Sequence, residues 1–160
     1  MTNSEQTIAR EREPELDLSR YLPQMLNRLS ARMNERLAEE LATIELPLAH
    51  WRILAILKWR GVCTLKEIRE WTVIDLSTAS RAVNRLEEGG YVSRDRQTRD
   101  RRALRIQLTQ AGRARYAEGW EIVSGFHAYV FADVSPSERE RMLDIMDSAL
   151  RRLDRSVWSG

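Results

Sequence analysis

The sequence predicts a mainly α-helical protein with one small antiparallel β-hairpin. Three observations lead to this expectation. Apolar residues recur every three or four positions over most of the chain, glycine or proline separates these stretches, and the period falls to two only after Tyr91. The 160 residues, 42% hydrophobic and 31% charged, suit one soluble globular domain or one small domain with a helical extension.

The composition excludes several classes of protein. No apolar run approaches the roughly 18–20 residues that span a bilayer. The polar segment 1–15 is unlike a secretory signal and is predicted to be a flexible N-terminal arm. Cys63 is the single cysteine, which excludes an internal disulfide framework and a multi-cysteine zinc site. We therefore expect a cytoplasmic protein without membrane contact, metal or cofactor, in which Cys63 is a passive, half-buried thiol.

Two helices are predicted in the first third of the chain. Apolar residues at spacings of three and four, from Leu18 to Leu41, predict a long amphipathic helix that ends near Ile44. Pro47 stands where a second helix can begin, because its missing N–H costs nothing there. That helix is predicted to stop at Gly61, in the left-handed conformation that glycine adopts readily.

Two shorter helices follow. Thr64 and Glu67 have the spacing of a capping box and open a third helix of about two turns. After the turn 72–75, a fourth helix is predicted from Leu76 to Glu88, closed by a pair of glycines.

The period of two marks the hairpin. Leu104, Ile106 and Leu108 alternate with polar residues, and residues 92–96 can pair with them antiparallel. Thr109 then caps a fifth helix to about residue 132, and Ser135 caps a sixth helix that extends to Val157.

These elements suggest two regions. Residues 46–109 form a compact unit of helices and hairpin, whereas the helices in 16–45 and 110–158 lie outside it and carry apolar stripes of their own. We expect these outer helices to pack against a second copy of the chain as a dimerisation domain. The alternative is that they fold back within one chain.

The fourth helix carries the main functional signal. At 100° per residue, its core side holds Ala79, Ala82, Val83, Leu86 and Gly90. Its outer side and flanks hold Ser77, Thr78, Ser80, Arg81, Asn84 and Arg85. Arginine can bond guanine, asparagine can bond adenine, and hydroxyl groups can bond phosphate, so this surface suits the major groove of double-stranded DNA. An ordinary solvated helix face is the alternative.

The hairpin adds concentrated positive charge. Residues 94–105 hold six arginines against two aspartates, a local charge of +4 in a chain whose net charge is +2. Arg99, Arg101 and Arg102 are predicted at or just after the tip, where they can reach an adjacent minor groove or its phosphates. Asp100 is expected to pair with a nearby arginine and fix the loop. A solvated charged turn is the alternative.

Several motifs resemble the winged helix-turn-helix of MarR-type (multiple antibiotic resistance) transcriptional regulators. They are the stretches 77–81 (STASR), 86–92 (LEEGGYV), 100–102 (DRR) and 108–112 (LTQAG), and the stretch 48–54 (LAHWRIL) is similar to the helix that opens the family's DNA-binding domain. The resemblance implies a winged helix-turn-helix with a helical dimerisation domain, acting as a homodimer on a pseudo-palindromic operator. It also implies that Arg102 enters the minor groove, that Asp100 positions it, and that a small ligand releases a repressor from DNA.

The resemblance also suggests a ligand site. Its candidate residues are Arg20, Tyr21, Gln24, Arg28, His50 and Trp51. Arginines with aromatic rings suit an aromatic carboxylate or its CoA thioester. Core packing is an alternative for Trp51, a surface or helix-start position for His50, and an intersubunit ion pair for Arg28.

No catalytic constellation is evident. His50 and His127 are far apart in sequence, and the chain has no glycine-rich phosphate loop, metal-binding spacing or nucleophile elbow. We therefore predict that the protein is not an enzyme. The remaining alternatives are a winged-helix protein-interaction scaffold and a DNA-binding protein that responds to no ligand.

Overall fold

The computed structural model describes residues 17–95 and 104–155. In chain order these residues form α1 (Leu22–Ala42), α2 (Leu48–Arg60), β1 (Cys63–Thr64), α3 (Leu65–Thr72), α4 (Leu76–Glu88), β2 (Val92–Asp95), β3 (Arg105–Leu108), α5 (Gln110–Val130) and α6 (Pro136–Arg155). The predicted class, mainly α-helical with a small antiparallel sheet, is confirmed. The predicted N-terminal arm, the end of the first strand at Arg96 and the end of the last helix at Val157 lie outside the described residues.

Helix α2 lies at the centre of the fold. It packs against α1, α3, α4, α5 and β3. It is accordingly apolar on most sides, and its buried residues are Trp51, Ile53, Leu54, Ile56 and Leu57. A helix with apolar residues around most of its circumference is stable only where neighbours cover it, so the other elements assemble around α2.

The three strands form one antiparallel sheet in the order β1-β3-β2. Val92 lies opposite Leu108, and Cys63 lies opposite Ile106. Strand β1 was not predicted, because two residues are too few to show a period. Its pairing buries Cys63, which is 2% exposed, so the expectation of a half-buried thiol is wrong. Burial is the main reason why the pKa of this thiol is raised.

Two predicted helix ends differ from the structure. Helix α1 begins at Leu22 and not at Leu18. The Asp17 carboxylate accepts hydrogen bonds from the backbone N–H and the hydroxyl of Ser19, and this local turn competes with helix. Gly61 has φ 82° and ψ −95°, so it uses glycine's freedom at positive φ but not the left-handed helical conformation.

Two residues predicted on buried faces are exposed. Leu104 precedes β3 and is exposed, while Ile106 and Leu108 face the core as expected. Gly90 lies beyond the last residue of α4 and has φ 73°, so it does not continue the helix period onto the core side.

Much apolar surface of α1 and α6 remains uncovered. In α1 only Leu37 and Leu41, near the C-terminal end, are buried. The exposed large apolar residues of these two helices are Leu22, Met25, Leu26, Leu29, Leu143, Ile145, Met146, Leu150 and Leu153. Isolated exposed leucines are ordinary on protein surfaces, but a contiguous stripe marks an interaction surface.

Candidate nucleic-acid interface

Helix α4 divides its side chains as the sequence predicted. Ala79, Ala82, Val83 and Leu86 are buried against the domain core. Ser77, Arg81, Asn84 and Arg85 are exposed, and Thr78 and Ser80 are half-buried beside them. Helix α3 and a short turn precede α4 and hold it on the domain surface, so its polar face is presented outward.

The N-terminus of α4 is capped by Asp75. Its Oδ1 accepts hydrogen bonds from the Thr78 N–H at 2.8 Å and from the Ser77 hydroxyl at 2.6 Å. These bonds stabilise the carboxylate and hold its pKa well below its ordinary value. The Ser77 hydroxyl therefore donates within the cap, which leaves its oxygen lone pairs to accept.

One further hydrogen bond and one charge interaction involve the outer face. The Arg81 guanidinium donates to the Thr78 hydroxyl at 3.3 Å, one turn back along α4. His50, on α2, is half-buried close enough to Arg85 for the arginine charge to act on it. Burial lowers the pKa of His50, and the charge of Arg85 lowers it further.

Strand β2 contacts α4 through Arg94. One Arg94 nitrogen, Nη1, lies 3.0 Å from the Glu87 carboxylate, and the other, Nη2, donates to Asn84 Oδ1. The Arg94 side chain is only 18% exposed, so this contact links the base of the hairpin firmly to α4. Sequence periodicity alone did not identify Arg94 as a partner of Asn84.

The hairpin carries the second part of the predicted interface. Strands β2 and β3 pair from Val92 and Leu108 to Asp95 and Arg105, and β2 packs against α4. The predicted minor-groove residues Arg99, Arg101 and Arg102, and the predicted positioning residue Asp100, lie outside the described residues.

A groove lies on another side of the domain, between α1, α2 and the end of α3. Its volume is about 670 Å³, and it is lined by Ser30, Asn34, Trp51, Arg52, Ala55, Ile56, Trp59, Trp71, Thr72 and Val73. Arg52 donates a hydrogen bond to Asn34 Oδ1 at 2.7 Å across the groove, joining α2 to α1. Trp59 and Trp71 meet edge to face with ring centroids 4.8 Å apart.

The candidate ligand residues are dispersed. Trp51 lines the groove, and its ring also stacks on Tyr116 at 5.1 Å. His50 is not among the lining residues. Arg20, Tyr21, Gln24 and Arg28 are exposed on α1 or just before it, and none of them lines the groove.

The sequence reasoning missed the polar and aromatic residues that do line the groove. Asn34, Arg52, Trp59 and Trp71 belong to three different helices. A signal was present on α2, because Trp51, Ala55 and Trp59 are spaced by four and share one face of the helix. The contributions of α1 and α3 had no comparable signal.

A three-stranded sheet and a helix-turn-helix with an outward polar second helix define a winged helix-turn-helix, a class of DNA-binding domain. The model of the MarR family matches residues 46–104, which span α2 to the hairpin. The fold also matches a MarR-family transcriptional regulator from Silicibacter pomeroyi, with 32% identity and a TM-score of 0.79 over 93% of this chain and 100% of that one. The chain belongs to the MarR family.

Two further relatives are less similar in sequence. The HTH-type transcriptional repressor IacR of Pseudomonas putida is 23% identical, over 81% of this chain and 77% of its own length. The structure of Bordetella bronchiseptica BpsR, solved for the regulation of its DNA binding by 6-hydroxynicotinic acid, has a TM-score of 0.72 at 23% identity and covers 90% of this chain and 99% of its own.

Family membership establishes a transcriptional regulator that binds DNA, and members of this family are not enzymes. The prediction that the protein is not an enzyme is therefore confirmed by its membership of the MarR family. Among residues 17–95 and 104–155, no helix is both long enough and apolar enough to cross a bilayer.

Proposed function

We propose that this chain is a homodimeric repressor that binds a pseudo-palindromic operator in the cytoplasm and is released by a small aromatic acid. The observation that carries the proposal is the outward face of α4. Arg81, Asn84 and Arg85 are exposed on a helix whose other side is anchored in the core. Two such helices, one per subunit, would enter successive major grooves, with Arg99, Arg101 and Arg102 of each hairpin near the flanking minor groove.

The dimer is supported by the uncovered surface of α1 and α6. None of the described α6 residues is buried in a single chain, although the helix carries an apolar stripe. Burial of apolar surface is worth about 25 cal/mol per Å², so a second copy that covers this stripe provides the largest stabilisation available to it. We propose that residues 16–45 and 110–158 form the dimerisation domain and residues 46–109 the DNA-binding domain.

The effector proposal is supported by the groove between α1, α2 and α3. Trp59 and Trp71 offer aromatic surface to a planar ring, and the guanidinium of Arg52 can pair with a carboxylate. The relative BpsR is regulated by an aromatic acid. A CoA thioester of such an acid is the second candidate, because its phosphates would need cations beyond Arg52. Arg20 and Arg28 could supply them, since both are exposed on or just before α1, which forms one side of the groove.

The groove has a direct physical connection to DNA binding. A ligand between Arg52 and Asn34 must break or reshape the hydrogen bond that joins α2 to α1. Because α2 packs against α4, any change in the angle between α1 and α2 alters the separation of the two recognition helices in a dimer. A ligand that prefers a separation unsuited to DNA shifts the population away from the bound state.

Duplex binding at increasing salt tests the DNA proposal. Full-length protein is titrated against a duplex from its own promoter and against a random duplex. Binding that depends on several arginine–phosphate contacts must weaken steeply with salt. Arg81→Ala is expected to cost about 1–3 kcal/mol on the promoter duplex and less on the random one. Arg102→Ala should weaken both more evenly and flatten the salt slope. Affinity that is insensitive to salt, or absent at low salt, would instead support a protein-interaction scaffold.

A thermal-shift screen tests the effector proposal. The protein is screened with benzoate-type and hydroxypyridine-type acids and with their CoA thioesters, and the shift is repeated with Arg52→Met and Trp71→Phe. Loss of the shift in Arg52→Met, with a smaller loss in Trp71→Phe, would support the groove. Arg32→Met, at an exposed arginine of α1 that does not line the groove, serves as the matched control, and Arg28→Met tests the site that the sequence predicted. A shift that is abolished by Arg28→Met and unchanged by Arg52→Met would place the ligand elsewhere on α1.

A further inference from the structure

One contact changes how the recognition helix can read a base. Asn84 is the exposed carboxamide on the outer face of α4, and the usual readout by asparagine is a bidentate pair with adenine. That pair uses both ends of the carboxamide, because the oxygen accepts from the adenine amino group while the nitrogen donates to N7.

In this structure the oxygen of Asn84 already has a charged partner. Arg94 Nη2 donates to Asn84 Oδ1. A guanidinium has donors only, so the atom that faces it must be the oxygen and not the amide nitrogen. The assignment of the carboxamide therefore follows from the chemistry of Arg94.

Arg94 is itself fixed in place. It follows Val92 by two residues, so both side chains point to the face of the sheet that packs on α4. Its second nitrogen pairs with Glu87 at 3.0 Å, and Glu87 is three residues after Asn84 on the same side of α4. One guanidinium thus spans two positions of the recognition helix through two separate nitrogen atoms.

Three arginines near Asn84 act in the same direction, and the nearby Glu87 carboxylate is paired with one of them. Arg81 and Arg85 are exposed on the same helix within one turn, and Arg94 lies against the oxygen. The amino group of adenine is a donor with partial positive charge, so this surrounding disfavours it. The O6 and N7 atoms of guanine and the O4 atom of thymine are acceptors, which the same surrounding favours, whereas the N7 acceptor of adenine lies beside the disfavoured amino group.

We propose that Arg94 is a positioning residue that sets the specificity of Asn84, so that Asn84 presents only N–H donors to DNA and selects a guanine or thymine acceptor instead of adenine. The inference rests on the proposed function in one respect, namely that α4 enters the major groove. It adds the base class that one side chain reads and the residue outside α4 that determines it.

The test is selection of preferred duplexes from a randomised library by the full-length protein, followed by counting the bases at each position. Asn84→Ala identifies the base pair that Asn84 reads. At that pair the ratio of the preferred base to the other three should fall by about tenfold. We expect guanine or thymine at that pair for the wild type. Arg94→Met retains the apolar stem but has no donor, so it releases Oδ1, and the preference for adenine at that same pair should rise at least threefold.

Arg105→Met is the matched control, because Arg105 is an exposed arginine of the same sheet on β3. It should leave the base preference at the Asn84 pair unchanged. Should Arg94→Met fail to fold by circular dichroism, Glu87→Gln removes the ion pair that orients Arg94 and should shift the preference in the same direction.

Adenine at the Asn84 pair in the wild type would overturn the inference, and so would an Arg94→Met profile that is weaker at every position but unchanged in shape. In both cases α4 would still read DNA, and the proposed function would stand. If Asn84→Ala altered no position, α4 would not read bases through Asn84, and the inference and this part of the proposed interface would fail together.

Discussion

Val73 connects α3 to α4 in a backbone conformation that its side chain disfavours. Its φ of 53° and ψ of 36° are left-handed, and the residue is 87% exposed. A left-handed conformation costs an L-residue about 1–2 kcal/mol, and β-branched side chains are the least suited to it. Val73 is the C-cap of α3 and lies two residues before Asp75, the N-cap of α4.

Replacing Val73 by glycine should therefore stabilise the protein. Glycine removes the steric cost but makes the unfolded chain more flexible, so we expect a net gain of about 0.5–1 kcal/mol. Denaturant unfolding measures it. Val73→Ala is the control, because it retains a Cβ and shortens only an exposed side chain. Equal stability of the two variants would show that the backbone at this turn is not strained.

Two histidines make stability depend on pH. Burial lowers the pKa of His50 and of His127, and nearby arginines lower both further. The unfolded chain then binds more protons than the folded one once the pH falls below the ordinary histidine pKa of 6.5. Stability is therefore fully present above that value and is lost as the pH falls.

We expect the melting temperature to decrease between about pH 7 and about pH 5, a window that lies above the carboxylate titrations. A His50→Gln/His127→Gln double variant should lose less over the same window. Parallel curves for the wild type and the double variant would mean that other groups are responsible.

At the scale of elements, the beginning of α5 is packed directly against the beginning of β2. Thr109 caps α5 by accepting from the Gly112 N–H at 3.0 Å, and its own N–H donates to the Tyr91 carbonyl at 3.1 Å. Gly112 is buried in this junction. A Cβ at this position would overlap the Tyr91 carbonyl group and approach Leu108 Cδ2 to 3.2 Å.

Gly112→Ala should therefore destabilise the protein by about 3 kcal/mol, since backbone atoms cannot move aside as a flexible side chain can. Gly125→Ala is the matched control on the same helix, because no atom lies within 4 Å of its added Cβ. That variant should be neutral or up to about 1 kcal/mol more stable, as alanine favours helix. Both are measured by denaturant unfolding at one protein concentration. Similar effects at the two sites would contradict the packing described for this junction.

For the whole molecule, the decisive property is whether the apolar stripe of α6 is covered by a second subunit. Leu150 is 60% exposed in a single chain and lies in the middle of that stripe. Placing a carboxylate in a dry interface is costly, so Leu150→Asp should convert a dimer to monomers at micromolar concentration in sedimentation experiments. Leu104→Asp, at an exposed leucine beside the hairpin, should remain dimeric. A monomeric wild type would remove the dimer from the proposed function.

Much of the fold was predictable because the signals are local. The capping box of Thr64 and Glu67 is present, and Asp75 and Thr109 cap α4 and α5. The errors have local causes as well. Ser19 and Asp17 form a turn that the apolar spacing from Leu18 did not reveal, and β1 is too short to show alternation.

The two faces of α4 were evident from its residues because a period of 3.6 and a cap are properties of neighbours in the chain. Partners from other elements were not. Arg52 and Asn34 are 18 positions apart, and Arg94 and Asn84 are 10 apart, yet each pair is joined by a hydrogen bond. A periodic pattern states which side of an element is apolar, but not which element packs there or at what angle. Those choices depend on how the whole core closes around α2, and they determine the groove and the orientation of Asn84.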